Sequence, residues 1–332
     1  RDRLRSRGLG DVYKRQILCV LMSCLLFVMA GCSGHSKNLK FGAADIGGVY
    51  YSFASTFTQL ADKEIDGYTF ETKTTAGSVA NLRLISDGYI DLAIVQADLL
   101  SDAYNATGTF ADKKYQKGYK AVASLYTECC QIVVRKDSGI TDIDDLINKT
   151  VSVGASESGS EKNAEQILKM SGITDELINK VNMDYTEAAE KLKAGEIDAF
   201  FCTAGTRTEV IGQLSKECDI CLISLDDKCI DKMLSAYSLC EKYTIPAGTY
   251  NGQDSDVTTI GVKAVLIAKQ SLSDDVIKNV TKTIYEHADD FKYATSLDIS
   301  FDINTAADGV DIPFHSGAAA YYTERGINVL TE

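Results

Sequence analysis

The chain has 332 residues, 45% of them hydrophobic, with 34 basic residues against 47 acidic ones for a formal net charge of −13. That balance argues against nucleic acid, whose binders need basic stripes to displace condensed counterions, and against adsorption to an anionic membrane surface. It leaves room for an anionic ligand in a deep cleft, because charge is screened over about 8 Å at physiological salt.

Taken in chain order, residues 1–16 come first and match no structural pattern. They lack an initiating methionine, and Arg1, Arg3, Arg5 and Arg7 stand far from any apolar core. They are read as a non-native extension and set aside. Lys14-Arg15 then precede an apolar run at 17–30 that ends in Met29-Ala30-Gly31-Cys32. A positive flank, a short apolar core and small residues before the cut are the pattern of a secretory signal. The run has 14 residues, against the roughly 20 needed to cross a bilayer. Residues 17–31 are therefore expected to be a lipoprotein signal cleaved before Cys32, with lipid on Cys32 and a polar tether at 32–37. An uncleaved anchor helix is the alternative. Export places the protein outside the cytoplasm, lipid-anchored to the outer face of the cytoplasmic membrane or in the periplasm. Without residues 1–31 the chain keeps 28 basic and 45 acidic residues, a net charge near −17.

From there apolar strand-like runs alternate with amphipathic stretches. Residues 39–43 read as a strand, 49–63 as a helix, 68–74 as a strand, 79–87 as a helix and 90–96 as a short apolar strand. Residues 121–126 and 132–135 are strand-like, and 127–131 between them are read as a crossing from one lobe to another. Then come 150–154 (strand), 161–170 and 187–194 (helices) and 197–202 (strand). The return crossing is placed at 243–258, where Gly248, Asn251 and Gly252 mark turns, and 258–268 rejoin the first lobe as a long strand. Such alternation implies an α/β fold with parallel sheet covered by helices. The expected division is lobe 1 at 38–127 and 257–332 and lobe 2 at 128–256, with a ligand cleft between them.

Ten cysteines form no complete disulfide framework. Cys19 and Cys24 leave with the signal and Cys32 carries lipid, so Cys129, Cys130, Cys202, Cys218, Cys221, Cys229 and Cys240 remain, an odd number. Cys218 and Cys221 have zinc or redox spacing, but zinc needs two more ligands, and His35, His287 and His315 match no ligand pattern. They read instead as small buried hydrophobes, and no metal or cofactor is expected.

Enzyme signatures are missing: no Gly-x-Ser-x-Gly, no His-Glu-x-x-His, no P-loop and no Gly-x-Gly-x-x-Gly. What stands out is three small-residue loops, each after a strand and before a helix. They are Asp45-Ile46-Gly47-Gly48-Val49-Tyr50-Tyr51, Thr74-Thr75-Ala76-Gly77-Ser78-Val79-Ala80-Asn81, and Gly154-Ala155-Ser156-Glu157-Ser158-Gly159-Ser160. Loops of this kind expose unpaired backbone N–H groups at the positive end of a helix and hold carboxylates without a basic side chain. Each alone is an ordinary helix cap; three at equivalent strand ends converge on one rim.

In these residues the chain resembles the TAXI family of solute-binding proteins, which serve TRAP transporters. The resemblance lies in Gly47-Gly48-Val49-Tyr50-Tyr51, Thr75-Ala76-Gly77-Ser78-Val79-Ala80-Asn81-Leu82 and Gln96-Ala97-Asp98. It continues through Asp137-Ser138-Gly139-Ile140, Asp145-Leu146, Val151-Ser152-Val153-Gly154-Ala155 and Ser158-Gly159. Gly195-Glu196-Ile197-Asp198-Ala199-Phe200-Phe201, Ile312-Pro313-Phe314-His315-Ser316-Gly317-Ala318 and Tyr321-Tyr322 complete it. The resemblance implies a two-lobed periplasmic-binding-protein fold of type II with two strand crossings, a glutamate-like or glutamine-like carboxylate ligand, and a sodium-driven membrane carrier as partner.

The chain departs from the family pattern at Ser156-Glu157, where Pro-Gly is common, and near Gly205, where Arg207 stands in place of a frequent proline. If both faced the cleft, Glu157 would meet an ammonium group and Arg207 would fork a carboxylate; if Arg207 faced solvent it would be surface charge. The candidate ligand residues are Gly48, Tyr50, Gly77, Ser78, Asn81, Gln96, Asp98, Tyr126, Ser156, Glu157, Ser158, Gly159, Ser160, Thr203, Gly205 and Arg207. For several of these an ordinary structural role competes. Tyr50 and Tyr51 cannot both face a cleft, Asn81 can tie its loop to itself, and Tyr126 can pack the hinge. The expected function is capture of a small carboxylate or amino acid by a monomeric lipoprotein and delivery to a TRAP carrier, without enzymatic activity. An ATP-driven importer or a sensor is the rival partner, and a surface hydrolase using Asp98 or Glu157 as base the remote one.

Overall fold

The computed structural model describes residues 36–112, 115, 118–295 and 301–332. The signal, Cys32 and most of the tether lie outside the described residues. Among the described residues ten strands form one mixed sheet: β1 (Lys37–Ala44), β2 (Tyr68–Thr74), β3 (Leu92–Gln96), β4 (Tyr119–Arg135), β5 (Thr150–Ser152), β6 (Asn179–Val181), β7 (Ala199–Ala204), β8 (Ile220–Leu222), β9 (Cys240–Ile245) and β10 (Val257–Lys269). Their order is β2-β1-β3-β10-β4-β7-β5-β6, with β8 beside β4 and β9 beside β10. Pairs β1/β2, β1/β3, β5/β6 and β5/β7 are parallel, whereas β4 and β10 run antiparallel to their neighbours.

The two long strands join the lobes. One end of β10 pairs with β3 through Ala264–Ala268 and its other end with β9 through Val257–Val262. Likewise β4 pairs with β10 and then, from Cys129 to Val134, with β7. The crossing expected at residues 127–131 is made by β4 itself, which runs without a break, with Thr127 opposite Lys263, Glu128 opposite Val262 and Gln131 opposite Cys202. Its polar side chains meet polar partners off the ladder: Thr127 donates to Glu241, Glu128 accepts from Tyr50 and Gln131 donates to Thr208. The ladder does shift register between Ala264 and Val265, opposite Tyr126 and Ser124, a bulge that bends the strand beside the cleft.

Helices cover the sheet: α1 (Val49–Glu64), α2 (Ser78–Ser86), α3 (Ala97–Asn105), α4 (Gly159–Ser171), α5 (Tyr185–Ala194), α6 (Glu209–Glu217), α7 (Asp227–Ala236), α8 (Asp274–Glu286), α9 (Ala288–Thr295) and α10 (Ser316–Thr323). α1 forms because Val49, Tyr50, Phe53, Ala54, Phe57 and Ala61 recur at helical spacing and are all buried. Phe53 stacks on Phe291 of α9 with ring centroids 4.4 Å apart, and Phe41 meets Phe57 edge-on at 5.5 Å. A second core in the other lobe gathers Val151, Ile167, Phe201, Ile230 and Met233. α4 and α5 begin two residues earlier than the periodicity places them, because Ser158 and Asp184 are the caps, accepting from Glu161 N and Glu187 N.

The C-terminal motif is structural. His315 Nδ1 accepts from Gly317 N at 3.2 Å and caps α10, and Ala121 of β4 bonds Pro313 and His315 on either side. All seven cysteines after Cys32 are free thiols. Among the described residues no cluster of His, Cys, Asp or Glu could hold a metal, and no helix is long and apolar enough to cross a membrane.

Candidate functional site

The N-termini of four helices, two from each lobe, surround one cavity. Its lining includes Gly48, Val49 and Tyr50 of α1, Gly77 and Ser78 of α2, Ser158, Gly159 and Ser160 of α4, and Asp184 and Tyr185 of α5. Ala44, Asp45, Ala76, Gln96, Glu128, Ala155, Thr203 and Ala204 complete the wall. The volume is about 40 Å³, well below the roughly 300–1,000 Å³ of drug-sized sites.

First-turn amides of a helix lack intrahelical acceptors. In α2 the third such amide, Ala80 N, is taken at 3.1 Å by the carbonyl of Glu157 from the opposite lobe. The amides of Ser78 and Val79 remain for a ligand. In α4 the Ser158 hydroxyl takes Glu161 N at 3.0 Å, leaving those of Gly159 and Ser160. The Ser160 hydroxyl is committed: it accepts from Thr203 N at 2.8 Å and lies 2.6 Å from Tyr185 Oη. Tyr185 spends its one proton on Thr203 O at 3.0 Å, so Ser160 is the donor between the two hydroxyls. Two buried lining atoms have no hydrogen-bond partner, Gln96 Oε1 and Thr203 Oγ1, and such atoms are costly unless a ligand or water meets them.

The floor holds a carboxyl group. Glu128 is 2% exposed, and Tyr50 Oη donates to its Oε2 at 2.7 Å. Burial pushes its pKa up to about 8; Tyr50 and Gln96 favour the ionised form and Asp98 opposes it. Asp45, on the wall, is also raised, by burial and then by Asp184.

The lobes touch at several points around the cavity. Arg83 of α2 forks Glu157 with Nη2–Oε2 at 2.6 Å and Nε–Oε1 at 3.2 Å. Tyr185 N donates to Asp45 Oδ2 at 3.3 Å. The backbones approach closely as well: a Cβ on Gly77 would lie 3.3 Å from Ser158 Cα, and one on Gly159 would lie 2.4 Å from Gln96 Oε1. This is a closed cleft.

Of the residues expected from sequence, Gly48, Tyr50, Gly77, Ser78, Gln96, Ser158, Gly159, Ser160 and Thr203 line the cavity. Seven others do not. Asn81 is fully buried and ties its own lobe together, accepting from Thr75 Oγ1 at 2.7 Å and donating to Ile94 O at 2.9 Å. Asp98 is buried at the start of α3 and held by burial at about 6. Tyr126 is buried in β4, Ser156 is exposed, and the carbonyl of Gly205 accepts from Thr208 Oγ1 at 2.6 Å. The expected opposition of Glu157 and Arg207 is corrected. Glu157 pairs with Arg83, which neutralises it at the rim, and Arg207 is exposed to solvent. Sequence reasoning missed Glu128, Tyr185, Asp45, Asp184 and Arg83. The available signal was a single acid, Glu128, within an otherwise apolar strand.

A model of the NMT1-like family matches residues 41–326. Among solved structures, PhnD1 from Prochlorococcus marinus in complex with methylphosphonate is similar with a TM-score of 0.53 at 14% identity, covering 80% of this chain and 93% of that one. A putative L-cystine ABC transporter protein from Listeria monocytogenes gives 0.51 at 13% identity, covering 78% and 94%. The periplasmic binding protein BugD gives 0.53 at 11% identity, covering 78% and 85%. At such identities the likeness establishes the two-lobed periplasmic-binding-protein fold of type II and nothing finer.

Proposed function

The chain belongs to the NMT1-like family, and from that premise we propose that it is an extracytoplasmic solute-binding protein that closes its lobes around a small carboxylate. The observation that carries this reading is the cavity itself, walled by helix N-termini from both lobes and by buried polar atoms without protein partners. The amides of Ser78, Val79, Gly159 and Ser160 hold the carboxylate, where helix dipoles favour negative charge. Tyr50, Gln96 and Thr203 set orientation. Lobe 1 comprises 38–127 and 257–332, lobe 2 comprises 128–256, and β4 and β10 are the hinge strands. Arg83–Glu157 and Asp45–Tyr185 form only when the lobes meet, so they bias the protein toward closure once solute is inside.

Cys32 carries lipid, and the closed protein docks as a monomer on a TRAP-type carrier, as the family resemblance of the loops implies. Delivery to an ATP-driven importer is the second reading, favoured by the likeness to the Listeria monocytogenes protein, a putative L-cystine ABC transporter. No catalytic step is assigned to the cavity. A thermal-shift screen of the protein against amino acids and dicarboxylates tests the binder. A solute at a hundredfold excess over its Kd stabilises the fold by about 2.7 kcal/mol, and a screen without any shift contradicts the proposal.

A further inference from the structure

Among the described residues three carboxyl groups line the cavity (Asp45, Glu128 and Asp184), and no lysine, arginine or histidine does. Two of the three are committed to backbone amides: Asp184 Oδ1 accepts Glu187 N at 2.8 Å, and Asp45 Oδ2 accepts Tyr185 N. Glu128 alone has no backbone-amide partner, its contacts being the Tyr50 hydroxyl and the Gln96 side chain; it is almost wholly buried and faces the enclosed space. Its charged or titratable surroundings come from every adjoining element. They are Tyr50 on α1, Asp98 on α3, Tyr126 and Cys129 on its own strand, Tyr185 on α5 and Cys202 on β7. None is a cation. Lys263 on the neighbouring strand is turned to Thr127 and Glu241. A buried carboxylate without a cation is strongly disfavoured, so the empty site keeps Glu128 protonated. The helix N-terminal amides of the same cavity suit a negative group, which leaves Glu128 for the positive end of a solute.

We infer that Glu128 selects solutes that carry a protonated amine, exchanging its own proton for the ammonium group when the solute enters. The step balances: Glu128–COOH meets R–NH3+, the carboxylate and the ammonium pair, and one proton passes to the solvent. Gln96 Oε1 and Thr203 Oγ1, both open acceptors, take further ammonium hydrogens. Tyr50 keeps the new carboxylate hydrogen-bonded. The inference rests on the binder proposed above and names the group that its pocket distinguishes.

The test is calorimetric titration of the protein with matched pairs of probes: L-glutamate and glutarate, L-alanine and propionate, L-leucine and 4-methylpentanoate. Buffers of different ionisation enthalpy give the protons released. At least one amino acid is expected to bind at least about tenfold more tightly than its amine-free partner, as charge-assisted hydrogen bonds are the strong ones. Proton release should be near one at pH 6 and fall through half at pH about 8, where burial places the Glu128 equilibrium. Glu128→Gln should weaken the amino acid on the order of 10- to 100-fold, leave the amine-free acid within about threefold, and abolish proton release. If that variant does not fold, the pH course of proton release in the unaltered protein decides alone. Binding of the amine-free acids as tightly as the amino acids, or no proton release at pH 6, overturns the inference and leaves the binder standing. Failure of every probe to bind overturns both.

Discussion

Two glutamates mark the same cleft and behave in opposite ways. Glu157, at the rim, is part-exposed and forked by Arg83 from the facing lobe. Glu128, at the floor, has no cation and is held at about 8 by burial. A part-exposed ion pair contributes about 0–1 kcal/mol, enough to bias closure but too little to discriminate solutes. A buried carboxyl can discriminate, because ionising it without a partner is costly and ionising it against an ammonium is not. Closure and selection thus fall to different acids a short distance apart.

The largest expected effect that separates them is on stability against pH. Glu128 ordinarily titrates at 4.5 and is held at about 8 in the fold, so the folded state binds its proton more tightly. Its contribution is complete below pH about 4.5 and is lost as pH rises through 8, on the order of 5 kcal/mol in all. Asp98, raised to about 6 by the same cause, adds to the loss in the lower part of that window. Denaturant melts of the unliganded protein should therefore weaken from pH 5 to pH 8, and Glu128→Gln should flatten the slope. Glu157→Gln should leave it unchanged.

Next is Gly77→Ala, which attacks the approach of the two walls. Gly77 has φ +124°, a conformation that costs other residues about 1–3 kcal/mol, and the added methyl meets the Ser158 backbone. Solute affinity should fall at least about tenfold, as measured by calorimetry. A smaller effect is expected for Arg83→Met, which removes the rim pair: about 0.2–1 kcal/mol, appearing as a few-fold faster solute release in stopped flow. The smallest is Arg207→Ala. Its side chain is exposed, so affinity should stay within about twofold; a large loss would return Arg207 to the site.

Much of this architecture was legible in the residues. The apolar stripe from Val49 to Ala61 specifies α1, and the three glycine- and serine-rich loops specify the helix N-termini that meet at the cavity. The floor was not legible. Residues 127–131 read only as a crossing, because a strand at the centre of a sheet is buried on both faces and shows no alternation, which hides what its polar residues face. Only the pairing of β4 with both β10 and β7 shows that Glu128 points into the cleft from an unbroken strand. Glu157 failed for a related reason. Its partner, Arg83, lies 74 residues away in sequence, and nothing local distinguishes a carboxylate facing solute from one facing a guanidinium. Asp184 and Ser158 show the same limit on a smaller scale, since each cap moved a helix start by two residues.

The most direct test of the central claim is hydrogen exchange followed by mass spectrometry, with and without the solute that most stabilises the protein. The account predicts slowed exchange in peptides covering residues 77–81, 158–161 and 203, from both walls at once. Protection confined to one lobe, or lying away from these helix N-termini, would contradict capture of the solute between them.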